Sequence, residues 1–161
     1  MVWIRSSTTR AIDIRADVDR VRALLADVVG TGHLMPGVAV LEPAGENTYH
    51  YVLEPFSNGA VTLVPDYRTR FDTSDPARLR WAPDGEHNFM SEGGFRTHAG
   101  AAPGETTLEI ETSFRASVDV APVVLPLIEP FAQRSNEDVT ESFLRAIKTA
   151  AEESVGGPTD E

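Results

Sequence analysis

Imidazole titrates near neutral pH and ligates metals, so the histidines are the first residues to test for chemistry. They stand at His33, His50, His87 and His98. None pairs at the four-residue spacing that brings two imidazoles to one helix face, and the sequence gives no metal site. Glu86-His87-Asn88 is the densest polar cluster beside a candidate strand. It makes His87 a candidate general base, with Glu86 or Glu92 to orient it. Adjacent strand residues point to opposite faces, which separates Glu86 from His87 and favours a turn histidine bonded to backbone. Tyr67 and Asn136 complete the catalytic candidates. A buried amide must find hydrogen bonds or cost about 1–3 kcal/mol, so Asn136 faces either a ligand or a strand carbonyl. Arg10 shares strand parity with Thr8 and Ile12 and can neutralise a carboxylate, in a ligand or in a salt bridge at the sheet edge.

Other chemistries are closed by composition. With no cysteine there is no disulfide, thiolate nucleophile or cysteine-bound zinc. Gly30-Thr31-Gly32 lacks the third glycine and the preceding strand of a dinucleotide loop, and no cofactor is expected. A net charge of −11 repels phosphate backbones. The locally basic Arg68, Arg70, Arg78 and Arg80 read as a solvated strand face, so no nucleic-acid partner is expected. Hydrophobic residues make up 41% of the chain, yet no apolar run approaches the roughly eighteen residues of a membrane span. The polar start, Met1 to Thr8, has no signal-peptide core, and a cytoplasmic location is expected. The oligomeric state is left open.

The elements that must position these residues begin with a long strand, Val2 to Ile14, alternating Val2, Ile4, Thr8, Ile12 and Ile14 against Arg5 and Asp13. Asp17 reads as a helix N-cap, with Val18, Val21, Leu24, Leu25 and Val28 at helical spacing before Gly30 and Gly32. A second small turn or helix follows at His33 to Gly37. Candidate strands then cover 38–41, 48–56, 60–73, 78–82, 87–99 and 106–120, separated by turn residues such as Pro83-Asp84-Gly85 and Pro103-Gly104. Short links imply antiparallel neighbours. From Ala121 to Glu153 the apolar residues Ile128, Phe131, Ala132, Val139, Phe143, Ile147 and Ala150 form one helical stripe, interrupted by Ser135 and Asn136. Pro130 predicts a first turn followed by a kink. A single domain over 1–155 with a frayed tail at 156–161 is expected.

This order of elements, together with Leu34-Met35-Pro36-Gly37-Val38, Leu79-Arg80-Trp81, Gly93-Gly94-Phe95 and Thr106-Thr107-Leu108-Glu109-Ile110, resembles the START-related (SRPBCC) superfamily. The likeness is to its polyketide cyclase/dehydrase and lipid-transport branch, which shares the helix-grip fold of the birch pollen allergen. The resemblance implies an α+β helix-grip fold: a seven-stranded curved antiparallel sheet wrapped on a long C-terminal helix, with two short helices after the first strand. It also implies an apolar cavity for lipids, sterols, quinones or polyketides.

Strand parity supports a covered aromatic face. Tyr51, Tyr67, Phe71, Trp81, Phe89, Phe95 and Phe114 fall on one side of successive strands. With Phe131, Ser135, Asn136 and Val139 from the helix they form the expected ligand-binding set. Parity alone does not separate a cavity from a closed core, because apolar faces usually pack shut. The leading expectation is a protein that binds or carries a hydrophobic small molecule. The alternatives are a polyketide cyclase or dehydratase using cavity polar groups, and an interaction module that meets its partner through an acidic surface.

Overall fold

The computed structural model describes residues 2–57 and 61–156. Strand β1 (Val2–Ile14) buries its even-numbered side, with Ile4, Ser6, Thr8 and Ile14 all below a tenth exposed. Helix α1 (Val18–Ala26) follows and buries Val21 and Leu25. Asp17 is its N-cap by position, but the side chain makes no capping bond. The predicted helix through Val28 is interrupted at Asp27, whose carboxylate accepts from the Gly30 N–H at 3.1 Å and starts a second short helix, α2 (Val28–Gly32). Residues 33–37 form the turn beyond it, not a helix.

The remaining strands are β2 (Val38–Gly45), β3 (Thr48–Leu53), β4 (Phe56–Ser57), β5 (Thr62–Leu63), β6 (Asp66–Asp72), β7 (Arg78–Pro83), β8 (Phe89–Ala99) and β9 (Thr106–Val118). Seven of them form one antiparallel sheet in the order β1-β9-β8-β7-β6-β3-β2, while β4 and β5 form a separate ribbon. The sheet curves. The first and last long strands meet, from Val2 opposite Val118 to Ile14 opposite Thr106, so the start of β1 lies beside the end of β9, where the chain leaves the sheet for the terminal helix.

One predicted strand is corrected. The pattern over 60–73 reads as a single strand, but Thr62–Leu63 pairs with Phe56–Ser57 and only Asp66–Asp72 joins the main sheet. Pro65 is the cause. It has no N–H to give a ladder, and the chain turns there while its carbonyl accepts from the Leu53 N–H. For the same reason β3 ends at Leu53 and does not continue to Phe56.

A 3-10 turn, Pro122–Val124, leads into α3 (Leu125–Gly156). The 3-10 turn is the expected first turn, and α3 runs on past Pro130, which lies inside it. Pro126 and Pro130 are both exposed, and water can satisfy the carbonyl that the missing N–H leaves unpaired. Apart from Gly156, the expected tail lies outside the described residues. Helix α3 packs chiefly on β1. One apolar cluster joins Ile14, Val21, Leu108, Phe143 and Ile147 at one end of the grip, and another joins Ile4, Val118, Ile128 and Ala132 towards the other.

Candidate functional site

Between these clusters α3 keeps to β1 and stands off the strands beyond it. Helix and sheet enclose a cavity of about 310 Å³. Its roof is α3, where Ile128, Ala132, Ser135 and Val139 succeed one another at intervals of three and four and all face inward. Its floor is the concave face of the sheet. Tyr51 and Tyr67 are directly paired across β3 and β6 and stack at 5.0 Å and 7°. From there the ring contacts continue through Phe89 at 4.8 Å to Phe114 at 4.9 Å. A second file runs from Tyr49 to Phe71, Trp81, Phe95 and Phe143, with ring centroids 5.4–5.9 Å apart. Such files arise because same-face neighbours on adjacent strands stand within side-chain contact distance. Gly93, directly opposite Trp81, makes room for the second: a Cβ there would lie 2.8 Å from the indole and 2.2 Å from the Glu111 carbonyl.

Tyr51, Tyr67, Phe71, Trp81, Phe89, Phe95, Phe114, Ser135, Asn136 and Val139 all border this space. Phe131 does not. It is 42% exposed and packs on Phe56 at 5.2 Å, because it falls on the flank of the line traced by Ile128, Ala132, Ser135 and Val139. His87 is also away from the cavity, its Nε2 2.8 Å from the Asp84 carbonyl in the turn before β8. The general-base arrangement with Glu86 or Glu92 is not formed, since neither carboxylate bonds the imidazole. Arg10 is held by carboxylates of α3, 3.2 Å from Glu141 and 4.0 Å from Glu137, and donates to Thr8 Oγ1 at 2.9 Å. It ties β1 to the helix.

Asn136 is 9% exposed and serves the same joint. Its Nδ2 donates to Ser6 Oγ at 2.9 Å, Ser6 donates to Gln133 Oε1 at 2.7 Å, and Gln133 donates to the Ser7 carbonyl at 2.9 Å. Thr140 Oγ1 donates to Asn136 Oδ1 at 3.4 Å. The partner is therefore a strand hydroxyl and not a strand carbonyl. Asn136→Leu is expected to lower stability by about 1–2 kcal/mol, because it removes a buried bond and leaves Ser6 short of a donor. Adding Ser6→Ala should recover part of that loss. Urea unfolding of the two single variants and the double variant measures this coupling.

Sequence reasoning passed over Thr69. It lies between Tyr67 and Phe71 on the same buried parity of β6, where an aromatic pattern does not single out a threonine. Thr69 is 2% exposed, borders the cavity, and its Oγ1 has no hydrogen-bond partner among the described residues. It lies near the Tyr51 hydroxyl and favours that group's ionised form, but at a geometry short of a hydrogen bond. Burial outweighs this and pushes the Tyr51 hydroxyl up to about 12, while burial and the neighbouring Tyr51 raise Tyr67 well above the ordinary tyrosine value. Both are neutral hydroxyl donors at physiological pH. Among the described lining residues the one ionisable carboxylate is Glu54, exposed at the rim, and no lysine, arginine or histidine borders the space.

An empty apolar void costs about 24 cal/mol per Å³, so 310 Å³ left vacant would cost roughly 7 kcal/mol, a large share of a typical stability of about 5–15 kcal/mol. The volume is large enough for about ten waters or an organic molecule.

No family model and no curated protein matches the sequence. Solved structures do match. The Zhui aromatase/cyclase from Streptomyces sp. R1128 superposes with a TM-score of 0.69 at 17% identity, covering 94% of this chain and 96% of its own. A START superfamily protein from Mycobacterium smegmatis gives 0.66 at 13% identity, over 91% and 97%. Thalictrum norcoclaurine synthase gives 0.63 at 11% identity, over 96% and 98%. The chain has the helix-grip fold. In it the grip is the sheet closing on α3, and the cavity described above is the space that this grip leaves open. Among the described residues no helix is long and apolar enough to cross a membrane.

Proposed function

We propose that the protein binds a hydrophobic small molecule in the cavity between sheet and α3, as a START-like (SRPBCC) ligand-binding protein. One observation carries this reading: a 310 Å³ space floored by two files of aromatic rings and kept open in an otherwise packed interior. Closed cores reach crystal-like density, and the parity of the rings would have allowed one here. The helix-grip likeness to aromatase/cyclases and a START protein supports the same reading. Lining groups are hydroxyls, an amide and rings, with the carboxylate of Glu54 at the rim. They suit binding and orientation of a neutral molecule better than proton transfer, and we therefore place carriage or binding ahead of a cyclase or dehydratase activity.

Native mass spectrometry of gently purified protein should reveal a co-purifying hydrophobic molecule. A ligand at one hundred times its Kd stabilises by about 2.7 kcal/mol, which for a domain of this size raises Tm by roughly 5–10 °C. No bound molecule, and no thermal shift across fatty alcohols, sterols, quinones and aromatic polyketides, would overturn the proposal.

A further inference from the structure

The cavity is apolar along most of its floor but has one polar place whose chemistry is unfinished. Thr69 Oγ1 is buried at the cavity wall and has no hydrogen-bond partner among the described residues. A hydroxyl in that condition normally costs on the order of 1–3 kcal/mol, and buried polar groups in folded proteins nearly always find a partner. The Tyr51 hydroxyl lies beside it and takes part in no hydrogen bond among the described residues. The neighbouring Thr31 shows the contrast: it also lines the cavity, but its hydroxyl donates to the Leu24 carbonyl and is satisfied. Two adjacent hydroxyls without partners among the described residues, on a wall that also carries the hydroxyls of Ser91, Thr112 and Ser135 but is mostly rings and aliphatic chains, form a site for one polar atom of a guest.

The charge of that atom follows from what surrounds it. No cation borders the cavity among the described residues, and the nearby arginines of β6 and β7, Arg68, Arg70, Arg78 and Arg80, all point to solvent on the opposite face. A carboxylate or phosphate held at Thr69 would be a buried anion without a counter-ion, a strongly unfavourable state. A neutral carbonyl or hydroxyl oxygen has no such penalty. It can accept from both hydroxyls, and the neutral state of Tyr51 keeps its proton available for donation. The rest of the guest lies on Tyr67, Phe89 and Phe114, where flat apolar surface is matched by ring faces.

We propose that Thr69 and Tyr51 form a two-hydroxyl anchor for an uncharged oxygen, so that the protein selects neutral oxygenated hydrophobes, ketones, quinones, phenols or alcohols, over the corresponding carboxylates. The inference rests on the cavity-binding reading above and adds the class of ligand to it.

Four probes of nearly equal shape separate the two claims: naphthalene, 2-naphthol, 2-acetonaphthone and 2-naphthoate. Their affinities are measured by calorimetry or tryptophan fluorescence on the wild type, Thr69→Val and Tyr51→Phe. The ketone and the naphthol should bind about ten-fold more tightly than naphthalene, one to two hydrogen bonds' worth, and naphthoate more weakly than naphthalene. Thr69→Val keeps the shape of threonine and should cut the roughly ten-fold preference for the ketone and the naphthol to about three-fold, half of it in free energy, leave naphthalene unchanged and raise Tm. Tyr51→Phe should do the same to the ketone, and it carries the test should Thr69→Val fail to fold. Equal affinity for ketone and naphthalene in the wild type, or a ketone preference undiminished by either substitution, overturns the anchor while the cavity reading stands. Tightest binding of naphthoate overturns the charge selection. Binding of none of the four overturns the cavity reading and the anchor with it.

Discussion

Val139→Trp is expected to abolish uptake of hydrophobic probes while leaving the protein folded. Val139 belongs to α3, lines the cavity and is only partly buried, which places its side chain at the boundary of the open space and outside the two closed clusters. An indole there extends into the space that a ligand needs. In a closed core such a change forces neighbouring side chains off their rotamers and costs about 1–3 kcal/mol. Here the added atoms enter space already available, where they gain contacts that the void lacks. The two readings of the aromatic face thus predict opposite signs. If the face surrounds a working cavity, Val139→Trp loses at least ten-fold in probe affinity and keeps or raises its Tm. If the face closes in solution, the same variant is destabilised and has no binding to lose. Calorimetric titration with 2-acetonaphthone and a thermal melt distinguish the two outcomes. Unchanged affinity in a stably folded variant would remove the cavity from the mechanism.

Much of this geometry is legible in the sequence because strands and helices impose fixed periods. The alternation of Leu108, Ile110, Thr112 and Phe114 in β9 specifies an inward face, and the same parity in β3, β6, β7 and β8 places Tyr51, Tyr67, Phe71, Trp81, Phe89 and Phe95 beside it. Errors entered where one residue outweighs the period. Pro65 splits a strand that hydropathy alone continues, because a missing N–H is invisible to an apolar pattern. Asp27 divides the first helix through a single side-chain bond to Gly30. Phe131 satisfies the three-and-four spacing, yet the cavity occupies a narrower arc of α3 than the full apolar stripe, and the residue falls on the flank against Phe56.

Polar residues are the harder class. Ser6 and Asn136 are complementary only because β1 and α3 meet, although they are separated by almost the whole chain, and no local signal links them. Asn136 was visible as an interruption of an apolar stripe, but its partner was not. Thr69 was legible in parity and was missed because threonine is ordinary in strands. Its importance comes from having no partner, a property of the folded surroundings and not of the residue type. Whether an aromatic face surrounds space or fills it depends on the separation of sheet and helix, which the side-chain volumes of both layers set together.

Alkaline pH should unfold this protein through its buried tyrosines, and the direction follows from linkage. The Tyr51 hydroxyl ionises near 10 in the unfolded chain, and burial pushes it up to about 12 in the folded one. The folded state thus holds this proton more tightly. Its contribution is fully present below pH 10, declines as the unfolded chain begins to ionise, and is gone once the pH passes 12. A difference of two pH units corresponds to about 3 kcal/mol. Tyr67 is raised in the same direction by its burial and adds to the loss. Urea unfolding free energies are therefore expected to be insensitive to these groups up to pH 9 and to fall by about 3 kcal/mol or more between pH 10 and 12, with tyrosinate absorbance rising as the protein unfolds. Tyr51→Phe should cost little at neutral pH, since its hydroxyl bonds no described residue, and should be less steep than the wild type across that window. A neutral oxygen seated against Tyr51 would stabilise the protonated hydroxyl and move the wild-type transition upward, but not that of Tyr51→Phe. Parallel pH profiles for the two proteins would show that the Tyr51 hydroxyl is solvated in the folded state, and would count against both the burial of the site and its use as an anchor.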